Sequence, residues 1–113
     1  MYKVLIIDDY EGLLTSLQLM LSDAGYETHT AKDHFEANQL CSENEYSLII
    51  CDNQMGDEVR HWGINLIPRL KRRQPGAKTI LMSADEITEH PADHFIQKSY
   101  IGSDLIPLVK SLL

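Results

Sequence analysis

The stretch Lys3-Val4-Leu5-Ile6-Ile7-Asp8-Asp9 decides the fold. Its first five residues favour a β-strand and are too apolar to alternate, the pattern of a strand covered on both faces. The run then stops on two adjacent carboxylates. The same form recurs down the chain. Leu48-Ile49-Ile50-Cys51 runs into Asp52, Thr79-Ile80-Leu81-Met82 into Ser83, and Phe95-Ile96-Gln97 into Lys98. In an open parallel sheet the carboxyl ends of the strands share one edge, and ligands bind in the crevice there. Three carboxylates, a hydroxyl and an ammonium are therefore expected at one rim.

Helical periods fill the spaces between these runs. From Asp9 onward Leu14, Leu17, Leu21 and Ala24 recur on one face, and Gly25 is a natural stop. A partly alternating strand over 26–31 suits a position nearer an edge. A helix over 33–44 is expected to turn Phe35, Ala37, Leu40 and Cys41 inward. Strand 48–52 is followed by a helix over 63–74, with Ile64, Ile67 and Leu70 inward and Pro75-Gly76 ending it. Pro68 falls near its first turns, where it is tolerated or produces a kink. Strands over 78–83 and 93–97 follow. Ser103 is expected to cap a last helix carrying Leu105, Val109 and Leu112 on one face. This order implies right-handed crossovers and an α/β fold with a doubly wound, five-stranded parallel sheet.

A chain of 113 residues reads as a single domain over 1–113. The net charge of −7 disfavours non-specific binding to nucleic acid or anionic membrane. No apolar run approaches a membrane span, and the start shows no signal-peptide pattern. A cytoplasmic location is expected. Cys41 and Cys51 have neither metal-ligand nor redox spacing, and read as two reduced thiols. Lys71-Arg72-Arg73 sits at a helix C-terminus, where positive charge is favoured without any nucleic acid. His90 and His94 are separated by Pro91, which argues against one helical face and a zinc site. Tyr100 is expected to pack in the core.

Converging carboxylates need a counter-charge. Two unit charges about 4 Å apart repel by roughly 4 kcal/mol at an effective dielectric near 20. Lys98 supplies one positive charge, and a hard divalent cation would supply two more. Mg²⁺ suits one or two carboxylates with waters and a phosphate oxygen. A carboxylate nucleophile forming an acyl phosphate fits such a site.

With VLIIDD at the first strand end, LIICDNQM around Asp52, ILMSA around Ser83 and FIQK around Lys98, the chain resembles the receiver domain of two-component response regulators. The resemblance runs from Lys3 to the last helix, and implies the flavodoxin-like strand order 2-1-3-4-5. It implies that Asp52 accepts a phosphoryl group from a histidine kinase or a phosphotransfer protein. Asp9 would bind Mg²⁺ directly and Asp8 largely through water, with the backbone carbonyl of Gln54 as a further ligand; Mn²⁺ is expected to substitute. Ser83 would hydrogen-bond a phosphoryl oxygen and Lys98 would pair with another. Phe95 reads first as a core aromatic, and the resemblance adds a switch role. Gln54 and Asp85 fall at positions that influence dephosphorylation in the family. The protein would catalyse only its own phosphorylation and dephosphorylation, as a signalling switch or phosphorelay member in a two-component system. Output is expected through an unidentified downstream protein.

Three features depart from the family pattern. Only residues 84–92 separate the fourth and fifth strands, near the minimum for a parallel crossover, so the fourth helix is expected to be reduced or missing and the signal to leave by another surface. Residues 56–62 lengthen the loop after Asp52 with Asp57, Glu58, Arg60, His61 and Trp62 close to the site, as a lid, a partner contact or a tolerated insertion. Ser99 stands after Lys98 where the family has a proline in a cis peptide. A cis bond at Lys98-Ser99 is expected so that the ammonium still reaches the site, although it costs about 2.5–4 kcal/mol before a non-proline residue. Two alternatives to the switch remain. One is a pseudo-receiver, a protein-binding module that is not phosphorylated in cells. The other is a phosphatase-like hydrolase, which the chain disfavours by carrying Gln54 two residues after Asp52 instead of a second aspartate.

Overall fold

A computed structural model of the protein describes residues 1–53 and 62–113, with Trp62 described by its backbone alone. Residues 56–61 of the expected loop and the Gln54 carbonyl lie outside the described residues, and Trp62, the last residue of that loop, instead opens a helix. The elements run β1 (Lys3–Ile7), α1 (Glu11–Asp23), β2 (Glu27–Ala31), α2 (His34–Glu43), β3 (Leu48–Asp52), α3 (Trp62–Arg73), β4 (Lys78–Ser83), β5 (His94–Gln97), a 3-10 turn (Lys98–Tyr100) and α4 (Ile101–Leu112). All strand pairs are parallel, in the order β2-β1-β3-β4-β5.

The apolar runs are strands because both faces of the sheet are covered. Leu5, Ile7, Ile49, Cys51 and Leu81 point to one side, against Ala37 and Cys41 of α2 and Leu66, Ile67 and Leu70 of α3. Val4, Ile6, Leu48, Ile50, Ile80 and Met82 point to the other, against Leu14, Leu17 and Leu21 of α1 and Leu105 and Val109 of α4. Every residue of β3 is buried. Gly25 ends α1 at φ +99°, a conformation that L side chains rarely adopt.

Residues 84–93 carry no helix and cross from β4 to β5 as a series of bends. Asp93 fixes the end of this connection. Its carboxylate accepts from the Thr79 N–H (2.9 Å) and hydroxyl (3.1 Å), and pairs with Lys71 Nζ at 2.8 Å. Its own N–H returns a bond to Thr79 Oγ1 at 3.0 Å. One carboxylate thus ties the crossover to β4 and to the end of α3.

Several local expectations are corrected. Phe35 is 72% exposed and stacks on the His34 ring, centroids 4.0 Å apart. It lies two residues from the buried Ala37, about 200° around the helix, so it faces away from the sheet. Ser103 does not cap α4. The 3-10 turn brings the helix start back to Ile101, and Ser103 Oγ donates to the Tyr100 carbonyl from inside it. The same turn leaves Tyr100 55% exposed instead of in the core.

Candidate functional site

Register assembles the rim. Ile7 pairs with Cys51, Asp52 with Met82, and Ser83 with Gln97. Asp8, Asp52, Ser83 and Lys98 therefore leave their strands at one level of the sheet. One carboxylate oxygen from each of Asp8, Asp9 and Asp52 lies within 4.8 Å of the other two. Asp8 is fully buried and Asp52 is 2% exposed, whereas Asp9 is open to solvent.

Lys98 supplies the positive charge. Its Nζ donates to Asp8 Oδ2 at 3.1 Å and lies 3.1 Å from Asp52 Oδ1. Among the described residues there is no cis peptide, so Lys98-Ser99 is trans and the expected cis bond is corrected. The physical reason is that the 3-10 turn begins at Lys98 itself and delivers the ammonium without the cost of a cis bond.

The electrostatics follow from burial. Burial pushes the Asp8 carboxyl above its usual range, against the bond from the Tyr10 N–H (2.9 Å) and the attraction of Lys98. Burial would lower the Lys98 ammonium, but the Asp52 and Asp8 carboxylates outweigh it and raise it. Burial, reinforced by Asp52 and Asp8, pushes the Cys51 thiol far up, so it remains a neutral neighbour. The site has more negative charge than one ammonium balances. Three clustered oxygen donors match what a hard divalent cation takes, and the cation would relieve the burial of Asp8.

The remaining residues surround this centre. Ser83 is buried, and its Oγ accepts from the Asp85 N–H at 3.2 Å. Asp85 itself is exposed at the head of the crossover. Phe95 is partly buried on the α2–α3 side of the sheet, its ring 5.9 Å from that of His90.

Sequence reasoning missed three supports. The Tyr10 N–H, which orients Asp8, is a backbone group and leaves no mark in the sequence. Asn53 is buried after Asp52, and its Oδ1 accepts the Ile64 N–H at 3.1 Å, anchoring the start of α3. Gly63 packs so closely that a Cβ there would lie 2.6 Å from the Asp52 carbonyl oxygen and 2.7 Å from Leu81 Cδ1. A glycine at the start of an apolar helical pattern was the available signal.

Comparison with known proteins bears on this arrangement. The family model of the response regulator receiver domain matches residues 4–110. A DNA-binding transcriptional regulator, NtrC, of Bradyrhizobium sp. (strain RP501 Parasponia) is 30% identical over 95% of this chain and 23% of its own length. The transcriptional regulatory protein SrrA of Staphylococcus aureus is 27% identical over 98% of this chain and 47% of its own. The chain thus spans between about a quarter and about half the length of these curated relatives. Among solved structures, the response regulator TrrA of Thermotoga maritima, crystallised with Mg²⁺ and BeF, superimposes with a TM-score of 0.85 at 28% identity over the whole of both chains. TrrA is also known in complex with the histidine kinase ThkA.

Proposed function

The chain belongs to the response regulator receiver domain family, and from that premise we propose that Asp52 is its phosphoacceptor. The observation that carries this reading is the meeting of Asp8, Asp9, Asp52 and Lys98 at the carboxyl edge of the sheet. A carboxylate oxygen of Asp52 attacks phosphorus as the donor's P–N bond breaks, and the product is an acyl phosphate. The donor is a histidine kinase or a phosphotransfer protein, in line with the ThkA complex of TrrA. Phosphoryl transfer needs mainly positioning and charge neutralisation. Lys98 neutralises one phosphoryl oxygen, and the Ser83 hydroxyl donates to another while its Oγ accepts from the Asp85 N–H.

Asp9 and Asp8, with Asp52 and the Gln54 carbonyl, would hold Mg²⁺, and Mn²⁺ would serve in its place. When bound, the cation neutralises charge that develops on the phosphoryl oxygens. Gln54 and Asp85, at the positions that influence dephosphorylation in the family, would modulate hydrolysis of the acyl phosphate, and Phe95 would shift with Ser83. The domain catalyses only its own phosphorylation and dephosphorylation, acts in the cytoplasm, and passes its signal to a downstream protein without contacting nucleic acid or membrane itself. The net charge of −7 supports that choice of partner. Titration calorimetry tests the metal centre. Asp9→Asn and Asp8→Asn should each weaken Mg²⁺ binding at least tenfold, and unchanged affinity in both would remove the proposed ligands.

A further inference from the structure

The far end of α3 carries a row of arginines without counter-charges. Half of the chain's ten lysines and arginines fall within residues 69–78, and no aspartate or glutamate falls between Glu58 and Asp85. Lys71 is engaged by Asp93. Arg69, Arg72 and Arg73 are exposed, and no ion pair among the described residues includes them. They stand three and four residues apart and so share one face of the helix, where like charges repel. The helix dipole favours positive charge in the last turn, which accounts for Arg72 and Arg73 but not for Arg69 a turn earlier. Nothing within α3 offsets that repulsion, since its sequence contains no acid.

The neighbouring side of α2 is neutral and holds an exposed aromatic. Arg73 Nη1 donates to the Asn38 carbonyl at 3.4 Å, which joins the outward sides of the two helices. Residues 37–42 of α2 contain no charged side chain. Glu36 and Glu43 turn to its other flank, where they line a cavity with Thr30 of the edge strand. Phe35, one turn before Asn38, is 72% exposed. The outward face of α2 and α3 thus combines a phenylalanine with three unpaired arginines, and aromatic residues and arginine are the types enriched at protein contacts.

We propose that this face is the docking site for a short acidic segment of a partner protein. Carboxylates of the segment pair with Arg69, Arg72 and Arg73, whose planar guanidinium groups suit such acceptors, and an apolar side chain of the segment covers Phe35. Charge complementarity selects this occupant. Three arginines in a protein of net charge −7 suffice for a short acidic segment, whereas nucleic acid and anionic membrane meet repulsion from the rest of the molecule. A two-fold contact between copies would set arginine against arginine. None of these residues belongs to the phosphoryl site, so the proposal stands whether or not Asp52 is phosphorylated.

The test titrates the isotope-labelled full chain with a synthetic peptide of glutamate and leucine, followed by NMR. Shift changes should be confined to residues 34–42 and 65–73. The variant Arg69→Gln/Arg72→Gln should bind at least fivefold more weakly, and so should Phe35→Ala, a change at an exposed position. Removing two charges elsewhere, by Lys32→Gln/Lys110→Gln, should change affinity less than twofold. A single-stranded DNA oligonucleotide should bind more weakly than the peptide. Absent shifts or shifts centred on another face, equal weakening in the two double variants, tighter binding of the oligonucleotide, or self-association through this face would overturn the proposal. The wild-type map needs no variant, and its failure leaves phosphorylation of Asp52 untouched.

Discussion

Lys98 reaches two buried carboxylates through a trans backbone, with 3.1 Å to each. Removing one partner of a buried charge pair is costlier than the pair's net worth, because the other charge stays behind without solvent. Lys98→Ala should therefore destabilise the metal-free protein by about 3 kcal/mol, seen by denaturant unfolding. Saturating Mg²⁺ should return part of that loss by binding the same carboxylates in the folded state alone. A variant as stable as the parent, with no greater response to Mg²⁺, would contradict the role given to this ammonium. Gly63 acts at the same scale. A Cβ at 2.6 Å from the Asp52 carbonyl oxygen forces α3 away from the end of β3. Gly63→Ala should cost about 1–3 kcal/mol and should also lower the affinity for Mg²⁺, since the displaced backbone carries Asp52.

Among the elements, the β4–β5 crossover is tied at its end by Asp93, which bonds to Thr79 and Lys71. Burial raises its carboxyl, but the bonds from Lys71 and Thr79 outweigh that and leave it below the usual carboxylate range. A depressed folded-state pKa contributes stability above the unfolded value of about 3.9 and loses it as pH falls through the folded value. Asp93→Asn should thus lower stability by about 1–2 kcal/mol at neutral pH. The two unfolding curves should converge as the pH drops below about 4. A gap that persists in acid would mean that the bonds matter through shape and not charge. The role of Asp93 was not legible beforehand. It read as the first residue of a strand, and its partners come from two elements 14 and 22 residues away.

Across the whole molecule, β1, β3 and β4 were readable because the sheet is covered on both faces there, so each appears as an apolar run, whereas β2 at the edge alternates and the strand order came with the family resemblance. The acidic pair, Asp52, Ser83 and Lys98 were readable for a related reason, since each marks where such a run meets the rim. Misreadings gathered where a polar turn reset the helical phase. The 3-10 turn at Lys98–Tyr100 moved the start of α4, exposed Tyr100 and made a cis peptide unnecessary. Phe35 was misplaced because α2 buries a narrow stripe, Ala37 and Cys41, and a phenylalanine outside it still looks like core. The rim as a whole joins a buried, over-negative carboxylate cluster to a single ammonium, and its purpose in this account is to receive a phosphoryl group on Asp52. Mass spectrometry after incubation with a small-molecule phosphodonor tests that most directly. One phosphoryl adduct is expected that requires Mg²⁺, maps to Asp52 and is absent from Asp52→Asn; an unmodified wild-type protein, or an adduct that persists in Asp52→Asn, would contradict that role.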